Sequence, residues 1–270
     1  MLSAYVEGVG VWGPGLEGWT KARDVLRGTI PYEGVASALP TVELLPPAER
    51  RRVGPTVKLA LTVGQEAVGA AGADRTQLAT VFASSGGDGE TIHNILKTLA
   101  TPQREVSPTR FHNSVHNAPS GYWALAVQSR APSTTVSAHD RSFAAGLIEA
   151  MAYLAAEEGT VMLVAYDQAY PEPLHAARPL TAAFGAALVL TRHATPRAQA
   201  HLSMRLAGGV VHESAMADRA LDALRLGNPA ARSLPLLQAL ALARPGTTVL
   251  TGAGADHLVI ACDGHHAAVA

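Results

Sequence analysis

The stretch TVSAHDRSFAAGLIE, Thr135–Glu149, decides how this chain reads. The β-rich run Ser133–Ala138 is predicted as a short strand that enters a tight bend at His139, Asp140 and Arg141. It leaves the bend as an apolar helix. Beyond the bend, Leu147, Ile148, Met151, Leu154 and Ala155 recur on one helical face, the stripe of a helix packed on a sheet. Strand, bend and helix in this order place the bend residue at a helix N-terminus, where many enzymes hold a nucleophile. The residue expected there is Asp140.

Outward from the bend, strands and helices alternate. Tyr5–Val11 (YVEGVGV) is a strand ended by Gly13 and Pro14, and Lys58–Ala71 is a helix stopped by Gly72. Leu78–Ser84 (LATVFAS) is a buried strand that opens through SSGGDGE into the helical TIHNILKTLA. Ser120–Gln128 reads as a further helix, and Thr160–Tyr166 and Ala186–Thr191 as two more strands. Fully apolar strands separated by helices predict a layered α/β fold whose mixed sheet is covered on both faces. From Ala194 the character changes to a Pro-rich and polar link, then a strand at Leu202–Leu206 and the helical MADRALDALRLG. A second helical stretch is interrupted by Pro235, and two short strands follow, Thr247–Thr251 and His257–Cys262, joined by a glycine-rich turn. The expectation is one structural unit, residues 1–193 as the main domain and 194–270 as a small appendage on the same sheet.

At 270 residues and 48% hydrophobic content the chain can bury a sizeable core. Charged residues are only 16%, against about 25% in typical domains, which hints at a surface covered by a partner. The net charge is −1 and the basic residues are scattered, apart from Arg50–Arg52, which argues against nucleic acid. The single cysteine, Cys262, excludes an internal disulfide and reads as a buried structural thiol. No apolar run approaches the ~20 residues of a membrane span. The N-terminus lacks the basic region of a signal peptide, so a cytoplasmic location is expected.

Six segments in order resemble the N-terminal half of a β-ketoacyl synthase with the thiolase-like fold: YVEGVGVWGPG, VFASSGGDGE, SPTRFHNSVHNAPSGYWALA, TVSAHDRSFAAGLIEA, GTVMLVAYDQ and AAFGAALVLT. The resemblance covers roughly residues 3–192. FHNSVHNAPSGYW in particular resembles the short chain length factors of aryl polyene and type II polyketide pathways. In an active ketosynthase the bend holds a cysteine, made reactive at the helix N-terminus, that accepts an acyl chain from a carrier protein. Aligned on that motif, Asp140 takes the cysteine's place. A mixed anhydride on a carboxylate would hydrolyse before an extender unit arrived. The HGTGT histidine motif of the second ketosynthase half is absent as well.

The resemblance therefore implies a non-catalytic subunit with no cofactor. It would pair with a full-length β-ketoacyl synthase as a heterodimer and meet the acyl carrier protein only through that partner, with monomer and homodimer both open for the isolated chain. Ser133, Thr134, Thr135, Val136, Ser137 and Ala138 would form the dimer-interface strand. Phe111, Asn117, Tyr122, Trp123, Leu125, Ala126 and Phe143 would line or limit the acyl tunnel, with ordinary core packing as the plainer reading of the aromatic residues. For Asp140 the plain reading is a helix N-cap, and the sharper one is pairing with Arg141, His139 or a partner residue.

Other chemistries compete for the same residues. His112 and His116, four apart, with His139 and Asp140, could suggest a metal site, but Pro108 and Pro119 make a regular helix there doubtful and no metal is expected. A stand-alone hydrolase or acyltransferase could use His139 and Asp140, or Ser114 or Ser142, although no G-x-S-x-G elbow is present. A homodimeric structural protein is a third alternative. SSGGDGE, between strand and helix, matches no phosphate-binding motif and reads as a tight turn.

Overall fold

The computed structural model describes residues 1–209, 211–252 and 256–264. The strands are β1 (Leu2–Gly13), β2 (Leu16–Glu17), β3 (Ala79–Ala83), β4 (Ser133–Val136), β5 (Thr160–Asp167), β6 (Phe184–Thr191), β7 (Ala200–Ala207), β8 (Gly246–Thr251) and β9 (His257–Gly264). The helices are α1 (Trp19–Arg27), α2 (Pro47–Arg50), α3 (Pro55–Ala71), α4 (Gly89–Leu99), α5 (Pro108–Asn113), α6 (Ala118–Val127), α7 (Ser142–Ala156), α8 (Leu174–Ala177), α9 (Arg219–Gly227) and α10 (Leu234–Leu242).

All strands belong to one mixed sheet in the order β4-β3-β5-β6-β1-β7-β9-β8, with β2 hairpinned onto β1. β4, β3 and β5 run parallel, and the remaining pairs are antiparallel. Alternation along β3, β5 and β6 sends side chains to two cores. Val81, Leu163 and Leu188 enter the core with α1, α7, α9 and α10, whereas Phe82, Val164 and Val189 enter the core with α3 and α6. β7, β9 and β8 feed only the first core, through residues such as Leu202, Ile260 and Leu250. The sheet is thus two-sided in its first part and one-sided in its last.

α3 lies unusually close to the sheet, because glycines occupy the contact. A Cβ on Gly8 would collide with the carbonyl of Ala67, and one on Gly10 with that of Val63. On the helix side, a Cβ on Gly64 would come within 3.3 Å of Met162 and Trp123. Glu66 of the same helix secures the seat. Its carboxylate accepts the backbone N–H groups of Val11 and Trp19, although burial pushes its pKa up.

Several details differ from the sequence expectation. Pro235 does not interrupt its helix: it sits in the first turn of α10, where a missing N–H costs nothing. Ala155 is exposed and closes no stripe. α1 was not expected at all, since its buried face is only Trp19, Ala22, Val25 and Leu26 within a polar sequence. Cys262 is buried on β9, with its thiol pushed up to about 11 by desolvation, as a structural thiol should be. Of the turn joining β8 to β9, residues 253–255 lie outside the described residues.

The seat of α3 makes a direct prediction. Gly10→Ala should lower folding stability by about 3 kcal/mol, because two backbones rather than a mobile side chain must separate. Equilibrium denaturation of the variant measures this, and a loss under about 0.5 kcal/mol, the scale of neutral surface changes, would contradict the close approach.

Candidate functional site

Because β4, β3 and β5 run parallel, their C-terminal ends emerge together, and in open α/β sheets ligands bind outside such ends. β3 delivers Ser84, Ser85 and the glycine loop to Asp88. β4 delivers Ser137, Ala138 and the bend, and β5 delivers Asp167. The ends are tied to each other. Ser137 Oγ donates to the carbonyl of Ser85 at 3.1 Å, and Asp167 Oδ1 accepts Ser84 Oγ at 3.0 Å and both the N–H and Oγ of Ser85 at 2.8 Å. The loop itself is a turn: Gly87 adopts a left-handed φ of 64°, Asp88 caps α4 by accepting from Thr91 N, and Gly86 and Gly89 leave room for the Tyr170 ring.

At the bend, the left-handed residue is His139, with φ 55°, one position before Asp140. His139–Arg141 form one 3-10 turn that leads directly into α7. Ser142 Oγ braces the turn, accepting from Ala138 N at 3.0 Å and donating to the His139 carbonyl at 2.7 Å. Neither the turn nor α7 has a side-chain cap among the described residues, so Asp140 does not act as an N-cap. Its carboxylate instead pairs with Arg178 at 2.8 Å and lies 3.4 Å from His139 Nδ1, half exposed on the rim. The expected pairing with His139 is present. No bond to Arg141 is found among the described residues, and Arg178, distant in sequence, was not foreseen.

The aromatic residues do not form one cluster. Tyr122 and Trp123 are buried in the α3/α6 core, while Phe143 is buried in the α7 core on the opposite face of the sheet. Phe111 (69% exposed), Val115, Leu125 (52% exposed), Asn117 and Gly121 line an open groove of about 630 Å³ with Tyr122, rimmed by Glu49 and Arg52. Ala126 is half-buried against the α3/α6 core. Of the residues expected at an interface, Ser133–Val136 form β4, with Ser133 and Thr134 exposed at its edge, and Ser137 and Ala138 lead into the bend.

The competing chemistries lose their geometry. His112 ends α5 with its ring edge-on to Tyr122, whereas His116 lies in the turn before α6 with Nε2 3.2 Å from the Ser84 carbonyl. They share no helical face. Among the described residues no group of three His, Cys, Asp or Glu is arranged to hold a metal. Ser114 Oγ donates to the Phe111 carbonyl, and Ser142 Oγ donates to the His139 carbonyl while accepting from Ala138 N. Neither hydroxyl is poised against a base. The buried polar residue that sequence reading missed is Asp167, 1% exposed, and the one signal for it was an acid closing the apolar run TVMLVAYD.

Comparison with known proteins follows from this geometry. Residues 27–244 match the family model described as the β-ketoacyl synthase N-terminal domain. No curated protein matches the chain. Among solved structures, the complex of the ketosynthase ApeO with its chain length factor ApeC from Xenorhabdus doucetiae is similar at 23% identity and TM-score 0.72, over 97% of this chain and 100% of that one. The ishigamide ketosynthase/chain length factor is similar at 12% identity and TM-score 0.76, over 98% and 100%. A type II polyketide complex, AntDE with the acyl carrier protein AntF, is similar at 12% and 0.76, over 98% and 99%. The fold is the thiolase-like fold of these ketosynthases.

The Ser142 brace and the ion pair at the bend are separable by substitution. Ser142→Ala should cost about 1 kcal/mol, since it removes the partner of the half-buried Ala138 N–H and of the His139 carbonyl. Asp140→Ala, which removes only an exposed pair, should cost under about 1 kcal/mol, less still at high salt. Chemical denaturation at low and high salt measures both, and the reverse ranking would contradict the role of the Ser142 hydroxyl in holding the bend.

Proposed function

The chain belongs to the β-ketoacyl synthase N-terminal domain family, and from that premise we propose that it is a non-catalytic ketosynthase-like subunit, a chain length factor. It pairs with an active β-ketoacyl synthase and helps to shape that enzyme's acyl tunnel. The observation that carries this reading is the bend itself: the strand, turn and helix that present a nucleophile are intact, yet the turn holds His139, Asp140 and Arg141. The single thiol, Cys262, lies buried on β9.

Condensation requires an acyl acceptor that is stable as an ester and reactive toward a carbanion. An aspartyl anhydride fails the first condition. An imidazole, as at His139, forms an acyl derivative that water also removes readily, and His139 is mostly exposed. The acyl chain would accordingly reside on the partner's cysteine. In the comparison structures, ketosynthases are found with chain length factors and one with its carrier protein. Carrier docking, by this reading, falls to the partner.

The surface that supports pairing lies beside the bend. β4 is an edge strand whose outer side pairs with no described segment, and such an edge is a template for another strand. α6 packs against β4, and Ser120 Oγ lies 3.4 Å from Thr135 Oγ1, so the exposed Phe111, Val115 and Leu125 continue the same surface. α4 adds Leu96 and Leu99, both exposed. A polar edge strand flanked by an uncovered apolar groove matches an interface with hydrogen-bonded strands at one side and buried side chains at the other.

Co-expression with a candidate ketosynthase tests the reading. The pair should copurify in equal amounts and elongate carrier-bound acyl chains, while this chain alone should not. Thr135→Pro, which removes an outward-facing N–H of β4 while the bonds to β3 run through residues 132, 134 and 136, and Leu125→Asp should each reduce pairing at least tenfold without unfolding the isolated chain, as read by size exclusion and circular dichroism. Leu125→Ala should shift the product distribution toward longer chains if the groove bounds the tunnel. Trp123, fully buried, is a poor probe, since Trp123→Ala would destabilise the core by about 3–5 kcal/mol.

A further inference from the structure

Asp167 closes β5 with a carboxyl that is 1% exposed and asymmetrically satisfied. All three donors, Ser84 Oγ, Ser85 N and Ser85 Oγ, converge on Oδ1, whereas Oδ2 is shut off from solvent and has no hydrogen-bond partner. No cation lies within ion-pair distance of it among the described residues. Arg178 acts from farther away and is itself bound to Asp140 on the rim. The remaining ionisable neighbours do not supply a positive charge in contact. Tyr166 precedes it on β5, and Asp88 caps the helix after the loop. His116 reaches the Ser84 carbonyl rather than the carboxyl. Phe184, its register partner on β6, and Asn228, which donates to the Asp167 carbonyl, carry no charge.

A carboxylate in this position leaves a charge uncompensated on Oδ2, whereas a neutral carboxyl leaves one unsatisfied hydroxyl, a far smaller penalty. We propose that Asp167 is a proton-binding site that couples mildly acidic pH to the stability of the strand-end rim. The proton resides on Oδ2, and Oδ1 keeps its three donors in both states, so the loop Ser84–Asp88 stays attached while the charge beneath it is switched. Burial is the chief cause that pushes the carboxyl up to about 6, against the lowering effect of the Ser85 and Ser84 bonds and of Arg178.

The sign follows from linkage. Between the unfolded value, about 3.9, and the raised folded one, the native state holds a proton that the unfolded chain has released. The stabilisation is full below the unfolded value and is lost as pH rises through the folded value. The proposal is independent of the pairing reading and concerns the isolated chain.

Carboxyl 13C NMR of the full chain, with Asp167→Asn to assign the resonance, should show Asp167 titrating with a midpoint near 6. A midpoint below about 4.5, in the ordinary aspartate range, would overturn the proposal. In parallel, the melting temperature of the wild type should gain several degrees relative to Asp167→Asn on going from pH 7.5 to pH 5, and an unchanged difference would equally overturn it. Should Asp167→Asn not fold, Ser85→Ala serves instead: loss of one hydroxyl donor should move the wild-type midpoint upward by at least half a pH unit, and no movement counts against the site.

Discussion

The fold depends on the contact of α3 with β1. Helices normally rest on a sheet through side chains, but here Gly8 and Gly10 let the backbone of α3 approach the strand directly, and Glu66 then ties the helix to the N–H groups at the end of β1 and the start of α1. With α3 so close, Phe82, Val164 and Val189 find a tight second face, and α6 can pack beside α3 against β3 and β4.

At the rim, polar groups do what apolar packing cannot. Three strand ends must be held in register where the sheet stops and hydrogen bonds of the ladder run out, and serines from β3 and the segment after β4, together with Asp167 from β5, take over. Asn228 extends the same bonding to the β5–β6 connection by donating to the carbonyls of Asp167 and Ala182. The bend, by contrast, is held by the Ser142 hydroxyl, which bonds Ala138 N and the His139 carbonyl, and by the surface ion pair of Asp140 with Arg178. Apart from that ion pair, its bonds lie within the sequence SAHDRS.

What could be read in the chain divides along local and non-local lines. Strands β3, β5 and β6 and helices α3, α6 and α7 follow from apolar runs and periodicity, and their order carried the family resemblance. The bend was located at His139–Arg141, but that His139 is its left-handed residue was not legible, because no side-chain pattern distinguishes it from Asp140 there. Arg178, 38 residues from Asp140, and Asp167, 82 from Ser85, are brought to the rim by strand crossovers that no spacing rule encodes. The separation of Phe143 from Tyr122 and Trp123 has the same origin. Residues close in sequence were assigned to one cluster, whereas the sheet passes between them.

The last strands give the edge of the sheet its meaning. A one-sheet protein has two edges, and β7, β9 and β8 move one of them far from the bend. That edge is closed by the chain itself: Ser214 N donates to the Val249 carbonyl, and Ser214 Oγ accepts from Val249 N, so a segment lies along β8 where another strand could add. The segment is anchored by Glu213, which pairs with Arg225 and Arg232 at 2.9 and 2.8 Å. Among the described residues no comparable cover lies over β4, which is short and polar and beside which α6 leaves Leu125 in solvent. One edge of the sheet is thus covered by the chain's own segment, whereas the edge on the side of the bend offers unpaired backbone groups beside an apolar groove, the condition under which a further strand can add.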